Sequence, residues 1–472
     1  MKWMSFAPEI VNFSAALWFL ALSLATCPDA RRDRLSSLLL ATLGAAVSLT
    51  SVNCEGGLFG AVYQVDLFSQ VFKVMLSLGL LFVVGLCGEL NDIRDRNRHD
   101  FYVLLFVSTL AMMLLVSANH FIVLYVSLEL SSYSLYVLVA LRKDRDFGIE
   151  AGIKYFVSGI FASGIMLFGL ALLCGTAQIV YLNELMRVSP DIANQPAVAI
   201  GVLLVLGGFF FKLAVFPFHY WAPDVYQGAM NQVAAYIATA SKVAAIAVLV
   251  RLVASFGQAG SYLVHVLAAM SIVSMTVGNL AAIVQKDLKR LLAYSTIAHA
   301  GYVLIGILSM NPAGYAGAVF YALALLVMKS AAFLVVIMVA FDGRNVSIQQ
   351  LAGLHKRSPI LALTLMVSLF SLAGIPPTIG FTGKFLVFVA AMERGYFALV
   401  LFAMINVVIS LYYYLLAIKA AYFLEPAEEP LPLPVSRPIR LLAGALIGVM
   451  VAAGFYPSLF IQLANAAVQS LM

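Results

Sequence analysis

Apolar runs of about twenty residues succeed one another through the whole sequence, parted by short polar stretches. A helix needs about that length to cross roughly 30 Å of hydrocarbon. The runs fall at 8–27, 35–52, 66–87, 101–117, 120–141, 150–175, 197–219, 229–254, 261–284, 290–309, 313–341, 357–392, 395–423 and 441–460. Strict alternation of apolar and polar residues is absent, which argues against a barrel. The predicted fold is an all-α polytopic membrane protein with about fourteen transmembrane helices. Composition agrees: 63% of the 472 residues are hydrophobic and 11% charged, where a soluble domain carries roughly 25% charged residues. The first run, 8–27, is expected to remain as a helix; a cleaved leader would want a basic start held inside.

Two runs are interrupted in a similar way. "GVLLVLGGFFFKLAV" carries Lys212 and then breaks at Pro217 into "FPFHYWAPDVYQGA". "LFSLAGIPPTIGFTGKFLVF" combines an apolar helix, Pro376, Pro377 and Lys384. Proline removes a backbone hydrogen bond, and the freed carbonyls then need protein or water partners. Broken helices in corresponding parts of two halves point to an ion path. Lys212 and Lys384 lie 172 residues apart, Glu129 and His299 170, and Lys154 and Lys329 175. These spacings predict two inverted five-helix repeats, 101–258 and 259–424, after an N-terminal three-helix segment (1–100) and before a C-terminal loop and helix (425–472). One mismatch stands: the lysine precedes the proline in the first unit and follows the prolines in the second.

Charge adds a topology. Of the 28 basic residues, eighteen fall in alternate loops on one side, at 31, 32, 34, 94, 96, 98, 142, 143, 145, 286, 289, 290, 344, 356, 357, 419, 437 and 440. Four (Lys2, Arg187, Arg251, Arg394) fall on the other. Positive loops mark the inside, so both termini are expected outside, and the net charge of +6 calls for no nucleic acid.

The remaining six are all lysines within runs: Lys73, Lys154, Lys212, Lys242, Lys329 and Lys384. Glu129 is the one acid deep in a run. A charge at the bilayer centre costs roughly 2.5–3.5 kcal/mol, so six placed without purpose would be hard to tolerate. Lys73, Lys154 and Lys242 are near enough to helix ends to snorkel, whereas Lys212, Lys329 and Lys384 sit deeper. Burial favours a neutral amine, while guanidinium keeps its charge, so buried lysines suit a proton relay better than arginines. His299 is mid-run and titratable; His219 lies at the first break; His120 and His265, near run ends, read as structural. Cys27, Cys54, Cys87 and Cys174 are isolated packing residues rather than a metal or disulfide set. No phosphate loop, dinucleotide loop, iron–sulfur cysteine cluster or serine triad is present, so no cofactor is expected in this chain.

"FPFHYWAPDVYQGA", "QKDLKRLLAYSTIAHAGYVLIGI", "FSLAGIPPTIGFTGKFLVF" and "LELSSYSLYVLVALRKD" together resemble the subunit N family of proton-translocating NADH–quinone oxidoreductase, respiratory complex I, over roughly residues 60 to 425. That resemblance implies fourteen helices with the seventh and twelfth broken, and proton conduction driven by quinone reduction in neighbouring subunits. It implies that NADH, FMN, iron–sulfur clusters and quinone belong to partner subunits. The partners it implies are antiporter-like M-type and small K-, J- and A-type membrane subunits, with lipids and protons, in the bacterial inner (plasma) membrane. By motif position Glu129 corresponds to the family's fifth-helix glutamate, Lys212 to its seventh-helix lysine, Lys242 to its eighth-helix lysine and Lys384 to its twelfth-helix lysine, while Lys329 looks more like the paralogous subunits or sodium–proton antiporter components. The expected relay is Glu129, Lys212, Lys242, His299, Lys329 and Lys384, with Lys154 and His219 secondary and a switchable Glu129–Lys212 ion pair at its start. A sodium–proton antiporter subunit and a non-pumping scaffold are the alternative readings.

Overall fold

The computed structural model describes residues 4–25, 29–88, 90, 92–143, 145–187, 195–256, 261–340, 343–425 and 432–472. Lys2 and Cys27, and the side chains of Arg145 and Arg187, lie outside the described residues. The chain forms α1 (Ala7–Ala25), α2 (Ala30–Thr50), α3 (Leu67–Gly85), α4 (Arg98–Ser117), α5 (Phe121–Ala140) and α6 (Arg145–Ala177). There follow α7 (Pro196–Leu213), α8 (Trp221–Gly228), α9 (Asn231–Phe256), α10 (Ser261–Ile283), α11 (Leu288–Leu308) and α12 (Pro312–Val339). The last are α13 (Pro359–Ala373), α14 (Ile379–Glu393), α15 (Phe397–Phe423), α16 (Arg437–Phe455) and α17 (Ser458–Leu471).

Twelve helices among the described residues are long and apolar enough to cross a membrane. Two expected spans differ from that measure. The run at 35–52 lies in α2, whose first turn carries Arg31, Arg32, Asp33 and Arg34. The run at 357–392 is two fifteen-residue helices, α13 and α14, parted by the Gly374–Thr378 segment. The run at 441–460 also breaks: α16 ends at Phe455, and α17 starts after Pro457 and packs on α12 and α3. A short hairpin, Gly56–Leu58 with Tyr63–Val65, departs from the all-helical expectation.

Polar caps place the helix starts. Asp66 accepts the Ser69 backbone N–H at 2.7 Å, and Asn311 accepts that of Gly314 at 2.7 Å behind Pro312 in the first helical position. Such caps satisfy donors that have no partner inside the helix. α9 and α11 are enclosed by neighbours on every side, α9 by α3, α4, α7, α11 and α12, so the core of the bundle lies around these two helices.

The interior holds more charge than the sequence suggests. Lys73 does not snorkel: it is fully buried and pairs with Glu9 of α1 at 2.8 Å, and Tyr63 donates to the same carboxylate at 2.5 Å. Arg251 is likewise internal, forking onto both oxygens of Asp66 at 2.8 and 2.9 Å and tying α9 to the start of α3. Burial pushes the Asp66 carboxyl up, but the Arg251 guanidinium and the Ser69 N–H outweigh it and hold the group below its usual value. A depressed carboxyl contributes stability that is complete above its ordinary 3.8 and is lost as pH falls through the lowered value. Asp66→Asn leaves a buried guanidinium unpaired and is expected to cost about 3–5 kcal/mol of helix docking at neutral pH. Thermal dissociation of the detergent-solubilised complex reads this, and pairing Asp66→Leu with Arg251→Leu should recover most of the loss.

Candidate functional site

The first break explains what holds a buried lysine. α7 stops at Leu213 because Ala214 adopts the left-handed conformation (φ 62°) and turns its N–H back to Phe210 and Phe211. A helix end leaves carbonyls without partners, and these carry the negative end of the helix dipole. Here the Phe211 carbonyl accepts the Trp221 indole N–H at 3.0 Å, and the Lys212 carbonyl accepts the Lys242 amine at 2.8 Å. The same amine lies 4.6 Å above the Trp221 ring.

The second break repeats the design. α13 stops at Ala373, Gly374 takes a left-handed φ of 86°, and its N–H returns to Phe370 and Ser371. The freed carbonyls of Leu372 and Ala373 accept the Lys384 amine at 2.9 and 3.0 Å. Val215 and Ile375 donate to Phe210 and Phe370 in the same way, and Phe216–Pro217 and Pro376–Pro377 are both cis. α14 can start hard against this end because Gly380 has no side chain: a Cβ there would stand 1.8 Å from the Ser371 carbonyl.

The two breaks therefore correspond at a separation of 160 residues (374 − 214), not 172. The position of Lys212 is taken by Leu372, and the amines that fill the equivalent cradles are Lys242 and Lys384. That accounts for the reversed order of lysine and proline: the backbone acceptor recurs, and the amine reaches it from a different helix each time.

Lys212 itself points into α5. Its amine donates to Ser131 Oγ at 2.5 Å and lies 3.4 Å from Ser132 Oγ, and both hydroxyls donate onward to the Leu128 carbonyl. Glu129, buried on the same helix, accepts from the Ser163 hydroxyl of α6 through one oxygen, and the other oxygen has no partner. The expected Glu129–Lys212 ion pair is not made in this structure; the amine is engaged by Ser131 and Ser132 instead.

His299 and Lys329 belong to one hydrogen-bonded file. Lys329 donates to the Leu292 carbonyl at 3.0 Å and to Ser295 Oγ at 2.7 Å. Ser295 meets the Tyr414 hydroxyl at 2.6 Å, Tyr414 meets His299 Nε2 at 3.2 Å, and His299 Nδ1 meets the Tyr321 hydroxyl at 2.6 Å. All five groups are buried. Beside them Tyr413 donates to Asn279, Asn279 donates to Tyr302 and Asn406, and the Lys384 amine lies 4.7 Å above the Tyr302 ring.

The secondary candidates lie apart. Lys154 is 46% exposed and bridges Glu150 and Asp224, and Arg290 joins it at Asp224. His219 sits in the loop of the first break with a buried, unpartnered Nδ1. Ser131, Ser163, Ser295, Tyr321, Tyr414 and Trp221 escaped the sequence reading; for the first five the signal is a hydroxyl within an otherwise apolar run, and for Trp221 an indole just after the proline break. So did Lys289 and Arg142, counted there as loop charges. They cap the end of α8, Lys289 through the Ala229 carbonyl and Arg142 through those of Gln227 and Gly228.

The family described as "NADH:quinone oxidoreductase/Mrp antiporter, TM" matches residues 118–410. NADH-quinone oxidoreductase subunit N 2 of Syntrophobacter fumaroxidans is 69% identical over the whole of both chains. A chain of respiratory complex I from Thermus thermophilus, solved with bound aureothin, has a TM-score of 0.85 at 33% identity, covering 97% of this chain and 99% of that one. A chain of the Mrp complex from Dietzia sp. shares the fold, with a TM-score of 0.87 at 22% identity over 100% of this chain and 98% of its own. Its helices, its two broken segments and these relatives together show that the chain belongs to the NADH–quinone oxidoreductase subunit N family.

Proposed function

We propose that this chain carries protons across the bacterial inner membrane as a membrane subunit of NADH–quinone oxidoreductase, using Glu129, Lys212, Lys242, His299, Lys329 and Lys384. Redox chemistry with NADH, FMN, iron–sulfur clusters and quinone belongs to partner subunits, and M-type and small K-, J- and A-type membrane subunits are the neighbours. The basic loops face the cytoplasm, with both termini outside.

The observation that carries this reading is the unbroken file Lys329–Ser295–Tyr414–His299–Tyr321, buried and hydrogen-bonded throughout. Hydroxyls and imidazole both donate and accept, so a proton can enter at one end as another leaves at the next. Lys242 and Lys384 supply titratable charge at the two breaks. There the helix C-terminal carbonyls, equivalent to about half a negative charge, offset the cost of an ammonium at membrane depth. Ser131 holds the Lys212 amine in place, and the buried carboxylate of Glu129 on the same helix biases that amine toward its charged form. Between Lys242 and Lys329 no side-chain hydrogen bond closes the path among the described residues, so water completes that step in this scheme.

Tyr414→Phe keeps the ring and removes only the oxygen joining Ser295 to His299. The vesicle-reconstituted complex should then pump fewer protons per electron pair, with transfer through this chain slowed about ten-fold or more. An unchanged proton-to-electron ratio contradicts the reading.

A further inference from the structure

A cavity of about 230 Å³ lies at the face that carries the basic loops, and none of the relay lysines or histidines lines it. It sits where the N-terminal helices meet the C-terminal ones. The start of α2, which packs on α1, α3 and α4, forms one side. The start of α16, which packs on α12, α13 and α14, forms the other. Both helices border the membrane: Leu35 and Leu39 of α2 and Leu441 of α16 are each more than half exposed.

The walls combine groups of opposite demand. Arg34 and Ser436 are exposed at the mouth, and the Arg34 guanidinium makes no ion pair among the described residues. Deeper in, Asn231 is 2% exposed, yet its Oδ1 has no protein partner, and neither has the buried Oε1 of Gln232. Asp92 is the one carboxylate on the wall and Arg34 the one cation. Buried amide oxygens are rarely left unmade, so this end of the cavity calls for a hydrogen-bond donor. The space is also more than ten times the roughly 10–15 Å³ that a single water needs. A simple anion would pair with Arg34 but meet Asp92 and two acceptor oxygens; a simple cation would be repelled by Arg34. A zwitterion suits both ends.

We propose that this cavity binds the headgroup of a phosphatidylethanolamine drawn from the leaflet that borders the basic loops. Arg34 takes the phosphate, since its planar fork matches paired oxygens. The primary ammonium donates to Asn231 Oδ1 and Gln232 Oε1, with Asp92 as its counter-charge, and the acyl chains leave between α2 and α16. Basic pockets between helices at this face ordinarily favour acidic headgroups. Here the carboxylate and the two orphan oxygens turn the preference to a headgroup with N–H donors, which choline lacks. The bound lipid ties the N-terminal three-helix segment to α16, and the proposal does not depend on the relay reading.

The test uses the intact detergent-solubilised complex, washed of loose lipid and given phosphatidylethanolamine with a diazirine near the head of one acyl chain. Irradiation should place adducts on α2 and α16, located by peptide mass spectrometry. Unlabelled phosphatidylethanolamine should suppress them at least ten-fold more effectively than phosphatidylcholine or phosphatidylglycerol. Arg34→Gln and the double variant Asn231→Leu/Gln232→Leu should each lower the yield about ten-fold. Unchanged yields in the variants, or no adducts on these two helices, overturn the site. Equal suppression by phosphatidylglycerol or inorganic phosphate makes it an anion site and overturns the proposal as well. If the double variant fails to assemble, the exposed Arg34→Gln and the competition series decide.

Discussion

Lys242→Met is expected to leave the complex assembled and to stop proton movement through this subunit. The amine is 2% exposed and bonded to the Lys212 carbonyl at 2.8 Å, above the Trp221 ring. Methionine fills the same volume without charge, so packing on α7 and α11 should survive. The structural alternative, in which the amine only satisfies a broken helix end, is separated by Lys242→Arg. A guanidinium can still donate to that carbonyl but keeps its charge. A capping role would be rescued by arginine; a relay role would not. Transfer through this subunit should therefore fall about 10²-fold in both variants, read in vesicles as a proton-to-electron ratio lowered by this subunit's share.

His299→Gln is expected to have the next largest effect. The imidazole joins Tyr414 on one side to Tyr321 on the other, at 3.2 and 2.6 Å. Glutamine has an amide donor and a carbonyl acceptor with which to hold both tyrosines, so the packing of α11 against α12 and α15 is kept. It has no site that takes up a proton near neutral pH. Transfer through the file should fall about ten-fold or more while thermal stability stays near that of the parent. A variant that loses stability and keeps its proton-to-electron ratio would make His299 a packing residue.

Much of this architecture is legible in the sequence because its causes are local. Apolar runs of bilayer length give the helices, and prolines with adjacent lysines mark both breaks. What was not legible depends on contacts made over long separations. Glu9 and Lys73 are 64 residues apart, and nothing near either indicates the other. Pro457 splits the final run within sequence that reads as continuous. Like side chains pair Lys212 with Lys384 in the sequence, whereas the feature that recurs in the fold is a backbone carbonyl two residues before a left-handed cap. Opposite charges suggested a Glu129–Lys212 pair, but Ser131 and Ser132 occupy the amine. Serines and tyrosines are ordinary in helices, so Ser295 and Tyr414 stand out only once α11 and α15 are seen to face each other across Lys329 and His299.

Proton-to-electron stoichiometry of the vesicle-reconstituted complex carrying Lys212→Met, Lys242→Met and Lys384→Met together tests most directly whether these interior amines move charge. The ratio should drop by this subunit's whole share while quinone reduction continues. A ratio equal to that of the parent complex would show the amines to be structural and would contradict the account.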